Sequence, residues 1–249
     1  MINFLASLTA SQVGLLVLIV LWMLFLGIFF AKKKGDKASD KSAVYRKAVE
    51  LETDEAFLYG IQTEVGNAFA YGTLLAEDPV SVDWLPNACL LAITVTERYT
   101  EHRRTVTRTE VDMNGQMQTH EEEEIYYTWD IIGSDEVHAE KIRFCNILFP
   151  FGTITLPAPI LYDTQYEGFN YLRHHHYFLP TELEGSIFTE LSGNGITYAS
   201  RFFPEMHAKD AKEKALQEEA NRVRNFWLLW GAIIAAVLVL VLWYWSFTV

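Results

Sequence analysis

Length, composition and charge first narrow the class of protein. The chain has 249 residues, half of them hydrophobic, and a formal net charge of −12. Nucleic-acid phosphates repel an acidic chain, so DNA and RNA are not expected partners. The two cysteines, Cys89 and Cys145, could pair with each other, but a cytosolic setting would keep both thiols reduced. Both lie in apolar runs typical of buried thiols.

The chain begins with an uncharged tail, residues 1–12, followed by an apolar segment, residues 13–31. These nineteen residues contain no charged side chain. As a helix they reach about 28 Å, close to the thickness of a bilayer's hydrocarbon core. A signal peptide would need positive charge before the apolar run and a small-residue cleavage site after it, and neither is present. Residues 13–31 are therefore predicted to be a transmembrane helix.

A basic juxtamembrane segment and a helical stalk follow over residues 32–66. Four lysines lie just after the apolar run and are the expected membrane-surface residues: Lys32, Lys33, Lys34 and Lys37. Val44, Ala48 and Leu51 recur at helical spacing. This spacing predicts a stalk helix that continues the first span toward Tyr59.

Residues 67–204 have the pattern of a β domain. Short runs of β-branched and aromatic residues alternate with Gly, Pro, Asn and Asp. Roughly 190 residues between the two spans are enough for one domain with its own core. The predicted fold class is an α+β membrane protein, in which two transmembrane helices with helical stalks flank one mainly antiparallel β domain, a partial barrel or a sandwich.

A long hairpin, residues 97–132, is the sharpest local signal in this domain. Asn114-Gly115 favours a two-residue type I′ turn, which places Arg108 opposite Glu121 and sets two diagonal Arg/Glu pairs. The expected interaction residues are Arg103, Arg104, Arg108, Glu121, Glu122, Glu123 and Glu124. Both faces near the tip are polar, so the tip is expected to project as an arm. Such an arm is either a docking element or a solvated hairpin that suppresses edge aggregation.

Three consecutive histidines are the candidate metal ligands. Strand alternation places His174 and His176 on one face and His175 on the other, so only two can bind one ion together. No Cys-x-x-Cys or His-Glu-x-x-His spacing supplies further ligands. No metal site and no cofactor are predicted, and His174 and His176 are the residues that a metal would use.

A second stalk, residues 205–225, and a second apolar span, residues 226–248, complete the chain. Tryptophans lie near both ends of this span, as in an aromatic belt. Gly231 and Ala235 stand one turn apart, which favours close helix packing, either against the first span or between copies. Lysines and arginines on the inner flank of each span predict a cytosolic β domain with both termini outside. Neither span carries a charged residue that would mark an ion path.

Three stretches carry a family resemblance. Tyr71-Gly72-Thr73-Leu74-Leu75-Ala76-Glu77-Asp78-Pro79-Val80, then Leu85-Pro86-Asn87-Ala88-Cys89-Leu90, then residues 100–109, resemble the membrane-adjacent β domain of the GIDE-like family. The resemblance implies a small, partly barrel-like β domain that makes contacts beside a membrane. Family members that act as ubiquitin ligases carry a RING after the second span, and this sequence has only two cysteines, so ligase activity is not implied. Residues 173–189 also resemble membrane proteins of bacteria and their phages.

Two functions remain compatible with the sequence. The first is a membrane-anchored interaction or scaffold protein that presents its acidic β domain to a protein partner or to other copies of itself. The second is a membrane-bound hydrolase, metal-dependent or not, acting at the membrane surface. The lack of a recognisable nucleophile motif or phosphate loop favours the first.

Overall fold

The computed structural model describes residues 10–111, 117–169, 171–193, 195–197 and 199–246. In this part of the chain, one long helix comes first and another comes last, with twelve strands and one short helix between them in sequence. The helices are α1 (Ala10–Lys47), α2 (Asp54–Gln62) and α3 (Ala208–Ser246). The strands are β1 (Val49–Leu51), β2 (Gly66–Ala76), β3 (Cys89–Val111), β4 (Met117–His138), β5 (Lys141–Phe144), β6 (Ile147–Pro150), β7 (Ile154–Thr155), β8 (Ile160–Glu167), β9 (Leu172–Pro180), β10 (Glu182–Ser192), β11 (Gly195–Ile196) and β12 (Ser200–Pro204).

The two terminal helices are long and apolar enough to cross a bilayer. α1 has 38 residues and α3 has 39, so each measures about 57 Å at 1.5 Å per residue. Their most apolar windows have mean hydropathies of 2.9 and 2.5, and only 6% of each window is buried within the protein. Apolar helices that the protein itself leaves uncovered are typical of membrane spans. The remaining turns of each helix extend toward the β domain as stalks.

The second stalk region is helical from Ala208, and the first predicted stalk helix is wrong beyond Lys47. α3 runs without a break from its stalk into its apolar half, as predicted. At the other end, the chain leaves α1 and pairs β1 in parallel with residues 68–70 of β2. Thr53 then begins α2, and its side chain accepts a hydrogen bond from the Ala56 amide at 3.2 Å. The spacing of apolar residues predicted one continuous helix here, but the strand pairing interrupts it and the N-cap starts a separate helix.

The strands form two sheets. One has eight strands, six of them in the order β6-β5-β2-β10-β12-β7, with β1 beside β2 and β11 beside β10. The other has four strands in the order β4-β3-β9-β8. The pairings are antiparallel except for β1 with β2 and β12 with β7. A mostly antiparallel β domain with a half-barrel sheet between two apolar helices confirms that part of the predicted fold class.

The core lies where the two sheets face each other. Its largest cluster includes Phe57 of α2, Phe144 of β5 and Leu191 of β10 from one side, and Leu91 and Leu179 from the four-stranded sheet. Removing side chains of this size from water contributes roughly 1.5–3 kcal/mol each.

Close backbone packing in the core depends on glycine. At Gly185 in β10, a Cβ atom would overlap the carbonyl oxygen of Phe203 in β12. At Gly72 in β2, it would overlap the sulfur of Cys145.

Cys89 and Cys145 are both free and buried, as expected. Burial raises the pKa of the Cys145 thiol far above its ordinary value.

Both stalks are fixed to the eight-stranded sheet. Tyr45 of α1 and Ala211 of α3 belong to one buried cluster with Phe69 and Phe203. Lys212 of α3 donates to the Ala48 carbonyl at 2.9 Å, which ties the second stalk to the end of the first. The β domain therefore has a defined orientation relative to its two long helices.

Candidate functional site

The longest strands of the protein form a ribbon that outgrows its sheet. β3 has 23 residues and β4 has 22, but β9 pairs with β3 only as far as Arg98, opposite Leu172. Beyond that pair, residues 100–111 and 117–128 pair only with each other in the part of the chain that the structure describes. We call these residues the arm. Twelve residues of antiparallel strand extend about 40 Å.

The register of the arm differs from the predicted one by one residue. Arg108 lies opposite His120 instead of Glu121, and Arg104 lies directly opposite Glu124. The predicted turn centre, Asn114-Gly115, lies outside the described residues. A bulge between Thr96 and Glu97 also shifts the pairing at the root of the ribbon.

None of the three predicted arginine–glutamate pairs forms; each arginine instead pairs with a glutamate adjacent in sequence to the predicted one. Nη2 of Arg104 lies 2.7 Å from Glu124 Oε2, and Nε of Arg108 lies 3.0 Å from Glu122 Oε2. Nη1 of Arg103 lies 3.6 Å from Glu123 Oε2. The three arginine side chains are about 60% exposed. Each such pair contributes at most about 1 kcal/mol, because water screens it.

The two faces of the β3–β4 ribbon, which includes the arm and its root, differ in chemistry. One face continues the core-facing side of β3, where Leu91 is buried. Farther out, five large side chains on that face form what we call the aromatic face: Tyr99, Ile125, Tyr127, Trp129 and Ile131. Tyr99 stacks on Tyr127 with a centroid separation of 5.3 Å and lies equally close to Trp129. The alternation of large residues from 125 to 131 was visible in the sequence, but their exposure was not.

Most of the aromatic face is open to solvent. Tyr127 is 50% exposed, Ile125 49% and Ile131 68%, although their counterparts nearer the core are covered by the other sheet. The Tyr127 hydroxyl donates to Glu101 Oε2 at 3.0 Å. This hydrogen bond is the main reason why the pKa of Glu101 is lowered and the pKa of Tyr127 is raised.

A charged cluster anchors the root of the aromatic face. Glu97 forms an ion pair with Arg173 of β9, and its Oε2 lies 3.3 Å from Nε2 of His175. The Arg173 guanidinium also sits 4.2 Å above the Trp129 ring. The Glu97 side chain is only 15% exposed. Sequence reasoning missed this cluster, because Glu97 and Arg173 are brought together only by the β3–β9 pairing.

The three histidines are arranged as predicted, and threonines on neighbouring strands engage all of them. His174 and His176 share one face of β9 with a ring separation of 6.4 Å. Their Nδ1 atoms lie 3.0 Å from Thr96 Oγ1 and 3.1 Å from Thr94 Oγ1. His175, on the other face, makes the same contact with Thr164 at 2.9 Å. Among the described residues, no group of three or more His, Cys, Asp or Glu side chains could hold a metal ion.

His176 is the most enclosed histidine of the three. It is 6% exposed, and Trp84 stacks on its ring at 4.5 Å. Burial lowers its pKa, and the neighbouring His174 lowers it further, while Asp163 acts in the opposite direction. His174, His175 and His176, which we call the histidine ladder, therefore help to pair β9 with β3 and β8.

The predicted membrane-surface lysines lie together on α1. Lys32, Lys33, Lys34 and Lys37 are all exposed, at the point where the apolar half of the helix gives way to the stalk. Nζ of Lys34 lies 4.8 Å above the ring of Phe226, which starts the apolar half of α3. The two helices thus change from apolar to charged at the same level.

The predicted helix-packing residues do not mediate the contact between the two long helices. A Cβ atom at Gly231 would meet nothing within 4 Å, and Ala235 is exposed. The close approach occurs at Gly27, where a Cβ atom would overlap the indole of Trp230. The Trp230 indole N–H donates to the Met23 carbonyl at 3.0 Å. Of the two alternatives for Gly231, packing against the first helix is therefore wrong.

A polar cleft lies between the stalks and the eight-stranded sheet, lined in part by Tyr45, Glu219 and Arg222. Glu219 is 4% exposed, and its Oε2 makes no hydrogen bond in the structure. Nη1 of Arg222 lies 3.1 Å from this oxygen, outside hydrogen-bond geometry, and pairs its charge. A buried carboxylate is tolerated when it has such a countercharge.

Comparison of the chain with protein-family models, with curated proteins and with solved structures finds no match.

Proposed function

We propose that this chain is a membrane-anchored interaction protein. Its two apolar helices cross the bilayer, both termini lie outside, and the stalks hold the β domain in the cytosol. The four exposed lysines at the end of the apolar half of α1 face anionic headgroups of the inner leaflet. The arm binds a protein partner or other copies of the chain. The resemblance of residues 71–109 to the GIDE-like β domain likewise implies a domain that makes contacts beside a membrane.

The observation that carries this proposal is the length of the arm beyond its sheet. A two-stranded ribbon without a third strand is marginally stable in water. Its ion pairs are exposed and contribute little, yet it extends about 40 Å past the last β9 pair. A ribbon that gives little to the stability of its own domain but exposes large aromatic side chains supports a role in binding.

An interaction role is supported better than a hydrolase. The hydrolase alternative would use His174 and His176 or a Cys/His pair. Cross-strand threonines engage Nδ1 of both histidines, and both cysteines are buried. The large side chains of the aromatic face, in contrast, are mostly exposed to solvent, as Tyr127 and Ile131 show. We therefore propose that the arm, and not the histidine ladder, performs the function.

The test is cross-linking of the full chain in its membrane. A variant in which Asn-Gly replaces residues 100–128 removes the whole arm and closes the ribbon at the directly opposed pair Tyr99–Trp129. The full-length chain should cross-link to a defined partner or to itself, and the shortened variant should lose that product while keeping its thermal unfolding midpoint. Equal cross-linking by both proteins would contradict the proposal.

Membrane orientation has a separate test. Single cysteines placed in the arm should react with an impermeant thiol reagent only after the membrane is opened. The native cysteines do not interfere, because both are buried. Labelling of the arm from outside intact cells would show that the β domain is not cytosolic.

A further inference from the structure

The polar cleft between the stalks and the eight-stranded sheet lies just above the apolar halves of the two long helices. Its volume is about 380 Å³, within the roughly 300–1,000 Å³ of small-molecule sites. Arg222, which lines it, precedes Phe226 by four residues, and Phe226 starts the apolar half of α3 at the level of Lys34. Four helical residues rise about 6 Å, and the headgroup layer of one leaflet is roughly 5–8 Å thick. The cleft is therefore at the height of lipid headgroups.

The wall of the cleft carries one positive and one negative group without an ion pair. Lys41 of α1 and Glu190 of β10 line the cleft and are exposed, and neither forms an ion pair among the described residues. Arg201, in contrast, is held by Glu218 through two hydrogen bonds of 2.7 and 3.0 Å. A free ammonium and a free carboxylate on one wall are complementary to a ligand that carries both charges.

Glu219 is a second carboxylate on this wall, and one of its oxygens needs a hydrogen-bond donor. Its side chain is 5% exposed, and its Oε2 accepts no hydrogen bond among the described residues. Arg222 supplies a countercharge 3.1 Å away but not the missing hydrogen bond. The terminal torsion of a glutamate is broad, so the carboxylate can turn toward a donor in the cleft at little cost. A ligand that brings an N–H group therefore gains binding energy here.

We infer that the polar cleft binds the headgroup of one phosphatidylethanolamine molecule. This inference rests on the membrane anchoring in the proposed function and adds a ligand to it. The headgroup joins a phosphate to a primary ammonium. The phosphate pairs with Lys41, while the ammonium donates hydrogen bonds to Glu219 and is also attracted by Glu190.

The missing donor at Glu219 selects among lipid headgroups. Phosphatidylcholine carries the same phosphate, but its quaternary ammonium has no N–H group and cannot donate to the carboxylate. Phosphatidylglycerol has no positive charge to set against Glu190 and Glu219. The expected order of binding is therefore phosphatidylethanolamine first, with both other lipids weaker.

The position of the cleft favours a lipid over the soluble compound phosphoethanolamine, which has the same chemistry. The apolar halves of α1 and α3 start below the cleft, and only 6% of their most apolar windows is buried within the protein. The acyl chains of a bound lipid can therefore lie along them. The bilayer also holds its headgroups at a high local concentration beside the cleft.

Lipid retention measures this headgroup preference. The full chain is extracted in mild detergent from vesicles that contain equal amounts of phosphatidylethanolamine and phosphatidylcholine with identical acyl chains. The retained lipids are then quantified by mass spectrometry. The ethanolamine lipid should exceed the choline lipid by about fivefold or more, because only it supplies the N–H donor. Equal retention of the two lipids, or retention of neither, would overturn the inference.

Glutamine substitutions identify the carboxylates that cause the preference. Glu219→Gln should bring the two lipids to within about twofold of each other. Glu213→Gln, on the same helix but exposed and outside the cleft, should keep the preference of the parent chain. Glu190→Gln lies at an exposed position, so it should fold normally and also lower the preference. If Glu219→Gln and Glu190→Gln both keep the full preference at an unchanged thermal midpoint, the cleft is not the site.

Lys41→Gln tests the phosphate side of the same cleft. Because both lipids carry the phosphate, this variant should lower the retention of both about equally. Lys47→Gln, also exposed on α1 but outside the cleft, is the matched control and should retain both lipids like the parent chain. A loss of both lipids in the Lys47 variant and not in the Lys41 variant would contradict the assignment.

Further outcomes separate the lipid from the soluble compound and from the proposed function. Micromolar phosphoethanolamine should not bind the chain in pure phosphatidylcholine vesicles; saturable binding that Glu219→Gln abolishes would show that the soluble compound is the ligand. If removal of the arm abolishes the cross-link but the chain retains both lipids equally, the headgroup site is wrong and the interaction role stands. If the chain does not insert into vesicles, both proposals fail.

Discussion

Charge reversal at Glu124 tests the register on which the arm depends. Glu124→Arg would place two arginines directly opposite each other, because Arg104 is its cross-strand partner at 2.7 Å. The two side chains are 62% and 45% exposed, so we take the attraction as about 0.5 kcal/mol and the repulsion as similar. The substitution should therefore destabilise local pairing of the arm by about 1 kcal/mol, which corresponds to an about fivefold larger equilibrium constant for opening.

Amide hydrogen exchange of the full chain in lipid nanodiscs measures this effect. Glu124→Arg should lower protection in residues 100–111 and 117–128 and leave the core strands unchanged. Adding Arg104→Glu to the variant restores opposite charges at the same positions and should recover most of the lost protection. This recovery separates the pairwise interaction from any general effect of altered charge.

Glu121→Arg is the matched control and the refuting case. Glu121 lies opposite Thr107 and makes no ion pair among the described residues. With the predicted two-residue turn it would instead face Arg108. In the observed register, Glu121→Arg should change protection less than Glu124→Arg does. A larger effect at Glu121, or no recovery in the swapped Glu124 variant, would refute the register.

Three further predictions test the packing of the fold. Gly185→Ala should destabilise the β domain by about 1–3 kcal/mol, since its methyl group overlaps a carbonyl oxygen of β12, whereas Gly133→Ala has open space and should be neutral or stabilising in the same thermal melt. Gly27→Ala should lower the unfolding midpoint in nanodiscs, because it displaces the packed indole, and Gly231→Ala should not. Burial lowers the folded-state pKa of His176, so the unfolded chain binds the extra proton first and stability should fall as the pH drops through the ordinary histidine range. His176→Phe should reduce this pH dependence in melts between pH 7.5 and 5, and an unchanged slope would show that His176 does not cause it.

The sequence alone determined the features that depend on neighbouring residues. The two apolar helices follow from uninterrupted runs of uncharged residues, and α3 runs unbroken from stalk into apolar half as predicted. The opposite faces of His174 and His175 follow from strand alternation, which needs no knowledge of the partner strand. Asn114-Gly115 likewise predicted a hairpin that pairs the arginine-rich strand with the run of glutamates, and the structure pairs those strands.

Tertiary structure decided what depends on distant parts of the chain. α1 ends at Lys47 because β1 pairs with β2, and the β3–β4 register contains a shift between Thr96 and Glu97 that the local sequence did not indicate. The aromatic face could be recognised as a stripe from sequence, but only the end of the covering sheet shows that Tyr127 and Ile131 are left exposed. Local spacing fixes which side chains share a face, whereas burial depends on what packs over that face, and this is a property of the assembled fold.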